Sequence, residues 1–192
     1  TMNPSTEDIL HAAEQVPAMD VYVLPNNKNI VMAAEQAARL ARTSGVRRIH
    51  VVPTTTIPQG ISAMMAYDES AEIKDNVEAM QEAAEHVQSG SVTFAARDSD
   101  YDGHQIHEGE LLALENGKVA FTGTDLGSVT AKVAKDLMQE DSQFITLLYG
   151  ADVSEEQAAD VEEAVRSLLP EEVELTVAYG GQPVYYFLIS VE

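Results

Sequence analysis

The chain has 192 residues, 45% of them hydrophobic, with 32 acids against 11 bases and a formal charge of −21. That apolar share excludes a disordered acidic tail, and so few bases exclude the electrostatic footprint of a nucleic-acid binder or of a protein drawn to anionic membranes. Cys is absent, which excludes disulfides and thiolate metal sites and fits a reducing cytosol.

No apolar run approaches the roughly 20 residues of a membrane span, and the polar, acidic N-terminus has no signal-peptide pattern. A cytoplasmic protein, not integral to a membrane, is expected. Thr1 ahead of Met2 reads as a cloning remnant, so the chain is expected to be a fragment of a longer protein. Residues 97–192 carry 20 acids and 5 bases, so most of the negative field lies in the second half. It serves either as a solubilising surface or as a docking surface for a basic partner. The charge step near Arg97 marks the expected division of a domain 20–192 into lobes 20–97 and 98–192, with residues 1–19 as an N-terminal helix and linker.

Ser5 followed by Glu7 and Asp8 opens a helix over 5–16. Val21–Leu24 is a short strand stopped by Pro25. Ile30, Ala33, Ala37 and Leu40 recur at helical spacing, and Gly45 ends that helix. Ile49–Val52 is a second strand stopped by Pro53, and Ile61–Ala66 reads as a short apolar helix. Ile73, Val77, Met80, Ala84 and Val87 define an amphipathic helix, with Val77 on its buried face. Ser91–Ala96 is a strand. Residues 98–124 alternate short β runs with glycines, and Asn116-Gly117 is a hairpin signal. Leu126, Val129, Val133 and Leu137 mark a helix, and Phe144–Leu148 a strand. Ser154 with Gln157 forms a capping box ahead of a helix through Leu168. Val173–Ala178 and Val184–Val191 are the last strands and read as a closing hairpin. The expected fold is α/β: a mixed, largely parallel sheet with helices packed on it, plus an antiparallel hairpin region.

In open α/β sheets ligands bind beyond the C-terminal ends of strands. Two loops qualify, Pro25–Asn29 and Pro53–Gly60. Both lead into helices, whose first N–H groups attract anions. Asn26, Asn27, Asn29, Thr54, Thr55 and Thr56 supply polar side chains, and Lys28 a positive charge. The competing reading is that Asn and Thr there merely cap helices. No P-loop or GxGxxG pattern is present. Asp98-Ser99-Asp100-Tyr101-Asp102-Gly103 opens like a calcium loop, but position 12 is Gly109 rather than Glu, so an acidic turn is expected. His104 and His107 alternate across a strand, which argues against a shared metal site. His50 and Ser62 lack a nucleophile elbow, leaving an independent hydrolase or transferase without a nucleophile–base pair.

These loops carry a resemblance. Leu24-Pro25-Asn26-Asn27-Lys28-Asn29-Ile30, Val52-Pro53-Thr54, and Ile57-Pro58-Gln59-Gly60-Ile61-Ser62-Ala63 resemble the C-terminal region of the bacterial fatty acid kinase A subunit. So do Val92–Asp98, Leu148-Tyr149-Gly150, Gly180-Gly181-Gln182-Pro183 and Ile189–Glu192. The similarity runs from about Asp20 to the last residue. It implies a fold like DegV or the dihydroxyacetone-kinase substrate domain. It also implies a non-catalytic role: engaging the fatty-acid-carrying B subunit so that its acyl carboxylate is phosphorylated by a separate ATP-binding domain. No cofactor is then expected in this segment. ATP and magnesium belong to an absent N-terminal kinase domain, which with a middle domain would be a further partner, and a homodimer is allowed. No His matches the one through which dihydroxyacetone kinases hold substrate covalently. The candidate partner- or ligand-binding residues are Asn26, Asn27, Lys28, Asn29, Thr54, Gln59, Gly60, Arg97 and Gln182. The alternative reading is a small-anion or fatty-acid-binding module, which requires an apolar pocket beside the loops.

Overall fold

The computed structural model describes residues 3–101 and 104–192. The chain divides into two compact units, Thr1–His86 and Val87–Glu192.

The first unit contains α1 (Thr6–Gln15), β1 (Asp20–Val23), α2 (Lys28–Ser44), β2 (Arg48–Val51), α3 (Ile57–Met65) and α4 (Ile73–Glu85). β1 and β2 are parallel, with Val21 opposite Ile49 and Val23 opposite Val51. Alternation sends these four valines and isoleucines to one face, where they pack with Ile9 and Ala13 of α1 and Ile30, Ala34, Ala37, Ala38 and Ala41 of α2. The buried alanines let α1 approach α2 closely, so residues 1–19 contribute core as well as a connection. On the other face Tyr22, Leu24 and Val52 meet Ala63 of α3 and Met80 and Ala84 of α4. Ser5 and Asp8 form the capping box of α1, and Gly45 ends α2 at φ 69°, a left-handed position that favours glycine. The apolar helix expected from Ile61 starts earlier, at Ile57, because Thr56 caps it and Pro58 tolerates the first turn.

The second unit holds β3 (Gln88–Phe94), β4 (Ser99–Tyr101), β5 (His104–Ile106), β6 (Leu111–Glu115), β7 (Lys118–Gly123), α5 (Leu126–Leu137), β8 (Phe144–Tyr149), α6 (Glu155–Arg166), β9 (Glu174–Tyr179) and β10 (Phe187–Val191). Six of these strands make one sheet in the order β7-β6-β3-β10-β8-β9. Val92, Ala113, Ile145, Leu147, Phe187, Ile189 and Val191 form its apolar face, packed with Val129, Val133, Leu137, Val161 and Val165 of α5 and α6. β4 and β5 form a separate antiparallel pair.

The α/β class and the mixed sheet stand. The parallel part is smaller than the strand–helix alternation implies: among the described residues only β1–β2 and β8–β9 pair in parallel, and the other pairs are antiparallel. The last two strands form no hairpin with each other. β8 lies between β9 and β10, pairing in parallel with β9 from Phe144 to Tyr149 and antiparallel with β10 from Ile145 to Tyr149. Asn116 and Gly117 do form the expected hairpin turn, at φ 48° and 79°. β3 begins at Gln88 rather than Ser91: its Gln-Ser-Gly start looks like a loop in sequence, yet it pairs with Ile189–Val191. Since β3 bonds β6 and β10, the division falls before it, and the charge step at Arg97 lies inside the second unit.

Candidate binding site in the loops after the parallel strands

β1 and β2 run side by side, so the loops that follow them leave the same end of the sheet. One buried hydroxyl ties the loops together. Thr54 is 1% exposed and its Oγ1 donates to the Pro25 carbonyl at 2.6 Å. The remaining polar groups mostly serve their own loops. Asn27 caps α2, its Oδ1 accepting from the Asn29 N–H at 2.9 Å. Thr56 caps α3, accepting from the Gln59 N–H at 3.2 Å. The Gln59 side-chain oxygen accepts from both the N–H and the hydroxyl of Thr55, at 2.8 and 3.0 Å. Gly60 donates to the Thr56 carbonyl, and a Cβ there would only touch Leu24 at 3.9 Å. The side chains of Asn26, Lys28 and Asn29 are exposed. The loops thus use Asn27, Thr54 and Gln59 to hold their shape and turn Asn26, Lys28 and Asn29 outward.

Beneath them lies a cluster that motif spacing missed. Asp20 receives Arg48 through two bonds of 2.7 and 2.5 Å, and its Oδ1 lies 2.8 Å from His50 Nε2. Arg48 foremost, then His50, holds the Asp20 carboxyl far below the ordinary range. The pairing of Asp20 with Arg48 follows from strand register, and His50 is two residues further on the same face. His50 is therefore engaged by a carboxylate at the strand start. Its ring lies 5.5 Å from that of Tyr22, which in turn meets Tyr67 edge-on at 5.5 Å. Burial raises the Tyr22 hydroxyl above its usual range. Asn76 is 3% exposed and anchors the turn before α4, accepting from the Asp68 N–H at 2.8 Å and donating to the Asp68 carbonyl at 2.7 Å.

An apolar groove of about 360 Å³ lies between α1 and β1, lined by Ile9, Ala13, Val16, Val21, Val23 and Leu24 among others.

Arg97 and Gln182 lie in the second unit. Arg97 is exposed. Gln182 is part of the scaffold: its Nε2 donates to the Leu148 carbonyl at 2.9 Å, and its backbone carbonyl accepts from the Ala151 N–H at 3.0 Å. Gly150 belongs to the same knot, since a Cβ there would overlap the Tyr185 carbonyl. The acidic turn at Asp98–Gly103 runs beyond the described residues at Asp102 and Gly103, and the side chain of His104 is likewise outside them. Within them, Asp98 accepts from the Glu108 N–H at 2.7 Å. Among the described residues no group of three or more His, Asp or Glu is arranged to hold a metal ion.

The family of fatty acid kinase A-like subunits, in its C-terminal part, matches residues 1–192. The chain belongs to this family. Protein YloV of Bacillus subtilis is 40% identical over all 192 residues, which make up 34% of its own length. The chain thus spans about a third of the curated relatives it matches. Among solved structures, the dihydroxyacetone kinase of C. freundii in complex with AMP-PNP and Mg2+ superposes with a TM-score of 0.72 at 16% identity, covering 98% of this chain and 41% of that one. The Streptococcus pneumoniae fatty acid kinase B3 protein loaded with linoleic acid gives 0.66 at 13% identity, covering 98% and 76%. The fold is therefore that of DegV proteins and dihydroxyacetone kinases. Among the described residues no helix of this A-like C-terminal domain is long and apolar enough to cross a membrane.

Proposed function

We propose that this fatty-acid-kinase-related domain is the non-catalytic, partner-binding part of its polypeptide. It engages a fatty-acid-carrying B-type subunit so that the acyl carboxylate is phosphorylated by an ATP-binding domain outside this segment. The observation that carries this reading is the state of the two loops. The polar groups that a phosphate or a nucleophile would need, on Asn27, Thr54, Thr56 and Gln59, are bonded to loop backbone or side chains. That leaves Asn26, Lys28 and Asn29 facing outward from the same loops, where a partner surface can reach them. In this reading ATP and magnesium bind the domain outside this segment, and the whole assembly works in the cytoplasm.

Calorimetry of the 192-residue chain with the B-type subunit of the same organism tests the reading. Binding at micromolar protein is expected, weakening as salt rises because the domain carries −21. Absence of heat at tens of micromolar, or phosphoryl transfer from ATP by the chain alone, overturns it.

The apolar groove at β1 favours one second reading, a fatty-acid-binding module. Leu24 lines the groove and leads directly into the Pro25–Asn29 loop. A thermal upshift with oleate that Ala12→Trp, at an exposed position of the groove lining, abolishes is the expected result; no upshift with saturated or unsaturated fatty acids removes this reading.

A further inference from the structure

Fifteen large hydrophobic side chains are exposed among the described residues, and five of them fall within eleven consecutive positions: Ile57, Ile61, Met64, Met65 and Tyr67. The first four share one face of α3, about 100° wide. The same helix buries Pro58 and Ala63. It therefore turns its small residues to the core and its large ones to solvent, the reverse of the usual arrangement. Met65 is 84% exposed and Met64 64%. Such unbranched thioethers adapt to varied partners.

Charge indicates what covers the stripe. Residues 1–56 carry five acids and five bases, whereas residues 57–86 carry seven acids and one base. The whole charge imbalance of the first unit thus sits on α4 and the turn leading into it, and α4 packs against α3. Asp68, Glu69, Glu72, Asp75, Glu78, Glu82 and Glu85 are all exposed, and Lys74 lies 3.6 Å from Glu78.

We infer that α3 and α4 form a docking surface for a basic amphipathic helix on a partner protein, its apolar stripe seated on Ile57, Ile61, Met64 and Met65 and its Lys and Arg flanks facing the acids of α4. A second copy of this chain is disfavoured as occupant, because a two-fold contact would bring the same seven acids against each other. This inference rests on the partner-binding reading above and gives it a surface.

The chain has no Cys, so Met65→Cys introduces a single thiol for an environment-sensitive fluorophore. The first probe is a Leu/Lys amphipathic peptide of about 18 residues, long enough to hold a helix, with the matching Leu/Glu peptide as control. The Lys peptide is expected to bind and to shift the label, and the Glu peptide to do neither. Ile61→Asp with Met64→Ser should weaken binding about tenfold or more. Glu78→Lys with Glu82→Lys should do the same without touching the stripe, the circular dichroism of both variants remaining that of the parent. Equal binding of the two peptides, or unchanged binding by both variants, overturns the inference. So does a dimer in sedimentation that Ile61→Asp dissolves. The second probe is the B-type subunit. Binding that survives both variants overturns this surface and leaves the partner reading intact. Failure of the parent chain to bind the B-type subunit, while the Lys peptide still binds at the labelled stripe, removes the partner reading alone.

Discussion

The Thr54 hydroxyl and the Pro25 carbonyl, 29 residues apart in sequence, meet at 2.6 Å in a buried position. That bond fixes the spacing of the two loops that carry the family's motifs. Thr54→Val keeps the shape of the side chain but leaves the carbonyl without this donor. It should destabilise the first unit by about 1–3 kcal/mol, read by urea denaturation, while Thr54→Ser keeps most of the stability. Equal stability of the valine variant and the parent would show that the loops are positioned by something else.

Asp20 gives a pH prediction. Its folded-state carboxyl is held far below the ordinary value by Arg48 and His50. A depressed acid stabilises the fold above the pKa of the unfolded chain, about 3.9, and that contribution is lost as pH falls through the lower folded value. The parent should therefore lose stability below about pH 4. Asp20→Asn should be less stable than the parent at pH 7, and the gap between them should shrink toward pH 2. Thermal melts of both proteins across that range check it; a constant gap would assign Asp20 no electrostatic role.

In the second unit, Gly150→Ala should cost about 1–3 kcal/mol or more, the scale of overpacking in a tight site. The added methyl meets the Tyr185 backbone, and that segment cannot retreat freely. Gly150 N–H donates to the Tyr186 carbonyl at 2.9 Å and Ala151 N–H to the Gln182 carbonyl at 3.0 Å. A melt matching the parent would mean the 182–186 segment yields.

Met80, 2% exposed, sits where α4 meets α3 and the sheet, while Val77 is only half-buried. Met80→Ala should cost about 2–5 kcal/mol and Val77→Ala less than half of that. The order of the two denaturation midpoints decides it.

Lys28→Ala should leave stability within about 0.5 kcal/mol, as for an exposed surface site, because its side chain is exposed in the first turn of α2.

These residues also show what was legible before the fold was known. Helices announced themselves through local chemistry: Ser5 and Ser154 cap where the sequence placed them, and Gly45 stops α2. Apolar spacing found the face of α4, where Met80 and Ala84 are indeed buried, but it also put Val77 there, which is only half-buried. The buried polar residue, Asn76, breaks an apolar pattern, and its partners at Asp68 are eight residues away. Strand neighbours were harder still. Nothing in the last forty residues reveals that β8 separates β9 from β10, since pairing depends on contacts distant along the chain. In the loops, the sequence located the right residue types. It could not show that Thr54, Gln59 and Gln182 direct their polar groups inward, because caps and ligand donors use the same side chains.

The position of β10 has one more consequence. It lies in the interior of the six-stranded sheet, between β3 and β8, yet along the chain it follows every other strand of that sheet. Without Phe187–Val191 the sheet would fall into two parts, β7-β6-β3 and β8-β9, and β3 and β8 would each expose a row of unpaired backbone N–H and C=O groups. A chain truncated before Phe187 should therefore carry two open edges of the kind that template aggregation, since the strand that joins the two parts is the last of the sheet in sequence.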